Sequence, residues 1–386
     1  LRVGVCLALA TGLLAPPAMA AGKTLGFVVT TWNRGIYESK FFDECPEGFN
    51  PSYDEIWWKG LSKEDRAKYT DNGLKSRLDR YFNAIRRGPN GEDVCMNPTA
   101  VKDPPLKLAE GPVAYGMDLD GGKDAPKSCP HPEFTGVDGT PGVDNQLFRV
   151  LGCVYGFRSF GQYEANENEN RKSNGKGVTL IEVSDVDDPR NDDSVKVSFY
   201  RAIDQYVLDA SGKFTPWSSY RVDTADGKPR YASTLKGRIK DGVLTTDSGD
   251  VNLPFYGNYT YMNQRIRDFR LRLEISPDAV SGKGMAAGYY DVDQLLFYVG
   301  GIGPIHSSGM ANCPAIYQAA HEQAHPDRHL PRRLRDRHRL RGGRVRVQHR
   351  RVVTLGRDHV GPDRRARGHR RDHRRRAAGP YVRGAG

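Results

Sequence analysis

The chain of 386 residues carries 58 Lys and Arg against 47 Asp and Glu, a formal net charge of +11. That excess sits in residues 321–386, where 21 Arg face six carboxylates and no Lys occurs, whereas residues 21–320 hold 36 basic and 41 acidic groups, a net of −5. A mildly acidic body excludes the polyanion-binding surface that a basic isoelectric point suggests, so no nucleic-acid partner is expected.

Residues 1–20 read as a secretory signal. Arg2 supplies the positive end, Val3 to Leu14 the apolar stretch, and Ala18-Met19-Ala20 a small-x-small cleavage site. The apolar stretch is shorter than the roughly 20 residues that cross a bilayer, so no membrane span is expected. The protein is therefore expected to be secreted or periplasmic.

Residues 21–176 form a helical and loop-rich N-terminal region. The β-branched run from Thr24 to Thr31 predicts a strand. Ser52 and Glu55 stand at capping-box spacing before Ile56-Trp57-Trp58 and predict a helix start. Leu74, Leu78, Tyr81, Phe82 and Ile85 fall at helical spacing, with Gly88-Pro89 as the stop. The basic residues on the other faces of that helix read as a solvated surface. Residues 96–175 are rich in Gly, Pro, Asp and Asn and predict long loops.

From residue 177 to 320 the pattern is β. Short runs such as Val178 to Val183, Val195 to Tyr200, Thr234 to Ile239 and Val251 to Tyr256 predict strands. The segment from Asp268 to Ile275 alternates polar and apolar residues over eight positions, the mark of a half-buried strand. Asp226-Gly227 and Asp241-Gly242 predict tight hairpin turns. Gln294 to Val299 fits a strand or a short helix, and the following Gly300-Gly-Ile-Gly303 run lacks the strand-to-helix setting of a dinucleotide fingerprint. The expected fold class is mainly β, an antiparallel β-sandwich or jelly-roll-like domain behind a small helical region.

Residues 321–386 predict disorder, because eight His and 21 Arg leave little to bury. Two origins compete. One is a basic arm that neutralises phosphates; the other, adopted here, is a frameshift near residue 320 in a GC-rich gene.

Five cysteines follow the signal: Cys45, Cys95, Cys129, Cys153 and Cys313. Export makes disulfides the expectation. Cys129 and Cys153 flank an Asp/Gly loop and are expected to pair with each other or with Cys45 and Cys95. The odd count suggests that the partner of Cys313 was lost with a true C-terminus.

The strongest site candidate is Met117 to Asp124, in which Asp118, Asp120 and Asp124 surround Gly121-Gly122. Alternate carboxylates on a tightly turning loop supply the oxygens that Ca²⁺ takes, and the stretch looks like the DxDG-type calcium loops of secreted proteins. It departs from the EF-hand pattern, since Gly follows the second Asp directly and no Glu closes the loop at the twelfth position. Asp138, Asp144 and Asn145 form a second cluster. The competing account makes all of these ordinary turn formers beside Gly.

The candidate glycan platform is Tyr256, Tyr259 and Tyr261, where polar aromatic rings crowd one loop, although core packing and strand propensity are the stronger explanation of such rings. A hydrolase requires two carboxylates about 5–10 Å apart, for which Glu182 and Glu274 are the candidates. His131 and His306 are the only histidines before the tail, and both sit in Gly/Pro-rich loops. The leading expectation is an exported β-sandwich protein, calcium-stabilised, that binds glycan or a cell-surface partner without catalysis. The alternatives are a secreted carbohydrate-active hydrolase using Glu182 or Glu274, and a structural envelope protein without ligand.

Overall fold

Thirteen strands and seven α-helices occupy the described residues of the computed structural model, which are 22–69, 74–122, 131–161, 163–175, 177–257, 260–302, 312–324 and 344–354. The signal residues, Asp124, Cys129, Tyr259, His306 and most of the Arg-rich tail lie outside them. In chain order β1 (Lys23–Arg34) is followed by α1 (Tyr53–Gly60), α2 (Lys63–Ala67) and α3 (Leu74–Ile85). Two short strands, β2 (Val113–Ala114) and β3 (Thr135–Gly136), pair in parallel ahead of α4 (Gln146–Leu151) and α5 (Tyr163–Asn174). The β-rich half then runs β4 (Thr179–Val186), β5 (Asp192–Arg201), β6 (Thr224–Ala225), β7 (Lys228–Pro229), β8 (Ser233–Lys240) and β9 (Val243–Thr246). It ends with β10 (Gly249–Gly257), β11 (Thr260–Ile275), β12 (Ser281–Asp291), α6 (Val292–Ile302), α7 (Cys313–Glu322) and β13 (Arg344–Thr354).

The helix and turn chemistry read from the sequence is present. Ser52 caps α1, its side chain accepting the Glu55 amide while the Glu55 carboxylate accepts the Ser52 amide. Asp241 and Gly242 both take positive φ, 52° and 79°, and join β8 to β9 in a two-residue hairpin with Lys240 opposite Val243. Asp226 and Gly227 do the same between β6 and β7.

The mainly β, antiparallel class holds, with one difference in how the strands close. Nine strands form a single sheet in the order β10-β11-β12-β13-β1-β4-β5-β8-β9, and β9 pairs again with β11. The sheet thus curls into a ring of eight strands instead of splitting into two stacked layers, with β10 attached to the first half of β11. A bulge marks the point where β11 changes partner. Asp268 adopts φ 48° where the β11–β12 register shifts, so β11 pairs with β10 up to Phe269 and with β9 from Arg272. On either side of it the alternation continues, with Ile266 buried before the bulge and Phe269, Leu271 and Leu273 after it. The ring interior is filled by side chains. Phe199 on β5 meets Phe269 on β11 edge to face at 5.2 Å, across the ring.

The N-terminal region shares this core. β1 takes a central place in the ring, and α4 is buried along most of its length with Phe148 and Leu151 in the same apolar cluster as Phe199 and Leu273. A second, smaller cluster of Val178, Leu180, Ala202 and Tyr206 covers the outer face of β4, where the Tyr206 hydroxyl donates to the Val29 carbonyl at 2.6 Å. Among the described residues no helix is long and apolar enough to cross a membrane.

Part of the tail differs from the expected disorder. β13 lies between β12 and β1 and pairs antiparallel with both, over eleven positions with β12. Composition pointed to disorder, but Val345, Val347, Val352 and Val353 give these eleven residues the β-branched content of a strand. Two bare sheet edges supply the hydrogen-bond partners. A chain ended at Ala324 leaves those edges exposed. It is expected to self-associate in size-exclusion chromatography with light scattering, and a monodisperse monomer would show that β13 does not close the ring.

The disulfides differ from the expected pairing in one respect. Cys45 joins Cys153, and Cys95 joins Cys313. Cys313 therefore has its partner within the chain, 218 residues away. Nothing in the spacing marked that pairing, since connectivity is set by the fold.

Candidate functional site

The loop after β2 brings carboxylates together with the loop that leads into α4. Ligand oxygens of Asp118, Asp120 and Asp144 lie within 4.8 Å of one another, the first two half-buried and Asp144 fully buried. The loop is shaped by its own backbone. Asp118 Oδ1 accepts the amides of Asp120, Gly121 and Gly122 at 3.1, 2.7 and 3.1 Å. Gly121 and Gly122 take φ of 89° and 81°, a conformation that β-carbon sterics oppose in other residues. Asp144 Oδ2 accepts the Leu119 amide at 2.9 Å, and the Asp144 amide donates to the Met117 carbonyl. The two loops are thereby tied to each other.

Arg270 ties them to the ring. Its guanidinium, on β11, donates to the carbonyls of Asp118 and Leu119 at 2.6 and 3.2 Å. It engages two backbone carbonyls of the loop that carries Asp118 and Asp120. Sequence pattern did not single out this residue, because Arg265, Arg267, Arg270 and Arg272 all read as the polar positions of one strand.

The remaining predicted ligands separate. Asp138 forms its own turn around Gly139, and hydrogen bonds from Thr140 hold its carboxyl below the usual range. Asn145 is a helix cap. Its Oδ1 accepts the Phe148 amide at 2.9 Å and its Nδ2 donates to the Gly35 and Tyr115 carbonyls, so both ends of the buried amide are engaged in holding α4. Asp124 lies outside the described residues, and His131 is not part of the cluster.

The other sequence candidates do not assemble into sites. Tyr256 is buried at 8% exposure, so its ring is packing and not a platform. It faces Tyr261 across the β10–β11 register, but the Tyr261 side chain and all of Tyr259 fall outside the described residues. Glu182 on β4 accepts a hydrogen bond from Tyr200 at 3.3 Å, and burial raises its pKa. Glu274 on β11 is exposed and bonded to Arg272. β4 and β11 are four strands apart in either direction around the ring, so these outward carboxylates lie on opposite walls. They do not form the close pair that glycosidic cleavage requires.

Two buried ion pairs were not foreseen from the sequence. Arg34 donates to Glu167 at 2.6 Å between the rings of Phe157 and Tyr298. Arg158, fully buried, pairs with Glu44 and donates to the Gly152 carbonyl at 2.9 Å, with its guanidinium beneath Phe42 and Phe49. Compared with protein-family models, with curated proteins and with solved structures, the chain shows no match to any of them.

Proposed function

We propose that this chain is an exported binding protein whose loop-rich N-terminal region is fixed by disulfides and by a divalent cation, with calcium the best fit. The observation that carries the cation is the meeting of Asp118, Asp120 and Asp144 from two separate loops within 4.8 Å, one of them fully buried. Like charges at that separation in a partly desolvated site repel, and a hard cation that takes carboxylate and carbonyl oxygens removes the repulsion. Two buried disulfides support export, since such bonds persist in oxidising compartments. The hydrolase reading has no comparable support, because its two carboxylates stand on opposite walls.

Thermal melting tests the cation. An ion that binds only the folded state adds about 2.7 kcal/mol at 100 times its Kd. At about 2–4 °C per kcal/mol for chains of this size, that is a rise of roughly 5–10 °C in calcium over chelator. Asp144→Asn keeps an acceptor for the Leu119 amide but removes one charge, and it is expected to abolish the rise. A midpoint that calcium leaves unchanged in the parent protein would falsify the cation site.

A further inference from the structure

A second site lies away from the carboxylates, on the surface built over the Cys45–Cys153 bridge. Phe42, Phe49, Tyr155 and Phe160 pack edge to face or tilted, with ring centroids 4.8–6.0 Å apart. Yet Phe42, Tyr155 and Phe160 keep 39, 38 and 36% of their surface open. Single exposed apolar residues are ordinary, but a contiguous aromatic patch marks a binding surface.

Three features show that the patch is held in place. Phe42 adopts φ 58°, a conformation that costs a bulky residue free energy and that persists where its surroundings enforce it. The disulfide joins Cys45, three residues after Phe42, to Cys153, two residues before Tyr155. Arg158 sits beneath Phe42 and Phe49 with its charge neutralised by Glu44.

Beside the patch, and sharing Phe49 and Tyr155 with it, opens a cleft of about 620 Å³ whose other side carries Ser52, Glu55, Lys59 and Lys107. That volume matches small-molecule sites, which combine aromatic walls with a few placed polar groups. The lining holds two lysines and one carboxylate: Glu55 is engaged in capping α1, and the Lys107 ammonium donates to the Glu47 and Phe49 carbonyls, which fixes its charge at the cleft.

We propose that the cleft and the aromatic face beside it bind an acidic saccharide. One sugar ring lies against Phe49 and Tyr155 with its carboxylate toward Lys59 and Lys107, and the next rings run over Phe42 and Phe160. Sugar rings offer the apolar faces that aromatic rings cover and the hydroxyls that a polar rim bonds. A membrane surface fits less well, because the patch borders a cleft lined by Ser52, Glu55, Lys59 and Lys107, polar groups that match a sugar's hydroxyls and carboxylate and have no counterpart in a lipid acyl surface. A peptide adding as a strand needs an open sheet edge, and the patch residues lie on loops, turns and a 3-10 helix outside the sheet. The inference rests on the reading of the chain as a binding protein but not on the cation, so the calcium and saccharide experiments fail separately.

Isothermal titration of the full exported chain with trigalacturonate tests it. Binding is expected with one site per chain, weakening as salt is raised. Tyr155→Ala is expected to reduce affinity at least about tenfold and Tyr155→Trp to retain it, while Lys59→Gln weakens trigalacturonate and leaves neutral ligands unaffected. Melting curves verify that each variant is folded. Absence of saccharide binding by the folded parent overturns the proposal, as does equal affinity for cellotriose. Binding to neutral phospholipid vesicles without saccharide binding gives the patch to a membrane and also overturns it.

Discussion

Replacing Arg158 with methionine is expected to destabilise the fold by about 3–5 kcal/mol, a large part of the stability of an ordinary domain. The reason is the group left behind. Glu44 is 3% exposed, and Arg158 is its cationic partner at the side chain. Burial raises the Glu44 pKa, but hydrogen bonds from Ser39 and Arg158 outweigh it and hold the carboxyl below its usual range. Without Arg158 the buried carboxylate keeps the Ser39 amide and loses its counter-charge. The second substitution Glu44→Gln removes the stranded charge, so the double variant is expected to recover part of the loss. The pH dependence has a definite sign. A carboxyl whose folded pKa is lowered contributes stability above its unfolded pKa, and that contribution fades as pH falls through the folded pKa. The parent is therefore expected to lose stability on acidification more steeply than the double variant. Urea unfolding measures all three, and an Arg158→Met variant within about 1 kcal/mol of the parent shows that the pair is not a structural anchor.

Removing either disulfide is expected to cost a comparable amount. Cys45–Cys153 and Cys95–Cys313 link positions 108 and 218 residues apart. Loop-closure entropy gives about 4.7 kcal/mol for a loop of about 100 residues and increases slowly beyond that. The Cys45→Ser/Cys153→Ser variant has a further consequence, because that bridge joins the two loops carrying Phe42 and Tyr155. It is expected to melt about 9–19 °C lower at about 2–4 °C per kcal/mol, and to lose saccharide binding at temperatures where it remains folded. Cys95→Ser/Cys313→Ser, which fixes α7 and not the aromatic face, is expected to melt lower while binding the saccharide normally. Unchanged melting on reduction, with all five cysteines after the signal titrating as free thiols in the native state, contradicts both.

Local rules were legible in the sequence and closure was not. The Ser52/Glu55 box, the Asp-Gly turns and the alternation from Phe269 to Ile275 each depend on neighbours a few residues away, and each is present. The switch of β11 from β10 to β9 takes place beside a bulge at Asp268, a residue with no marker in the pattern around it. The β13 strand sits in a segment whose bulk composition hid eleven residues of strand character. Gln294 to Val299 was ambiguous by periodicity, and it is helical as part of α6.

The carboxylate cluster was half legible. Asp118, Asp120 and their glycines stand together in sequence, but only the fold decides that Asp144 joins them while Asn145, its neighbour, caps α4. The aromatic face was not legible, since Phe42, Phe49, Tyr155 and Phe160 come from two segments more than a hundred residues apart joined by a disulfide. Tyr256 belongs to a polar aromatic stretch of the sequence, yet its ring is buried.

Titration of calcium into chelator-treated protein decides whether Asp118, Asp120 and Asp144 hold a divalent cation. One site per chain is expected in isothermal calorimetry, abolished by Asp144→Asn in a variant whose circular dichroism matches the parent. Failure of the parent protein to take up calcium at millimolar concentration, or uptake that Asp144→Asn leaves unchanged, contradicts it and leaves these carboxylates as turn formers.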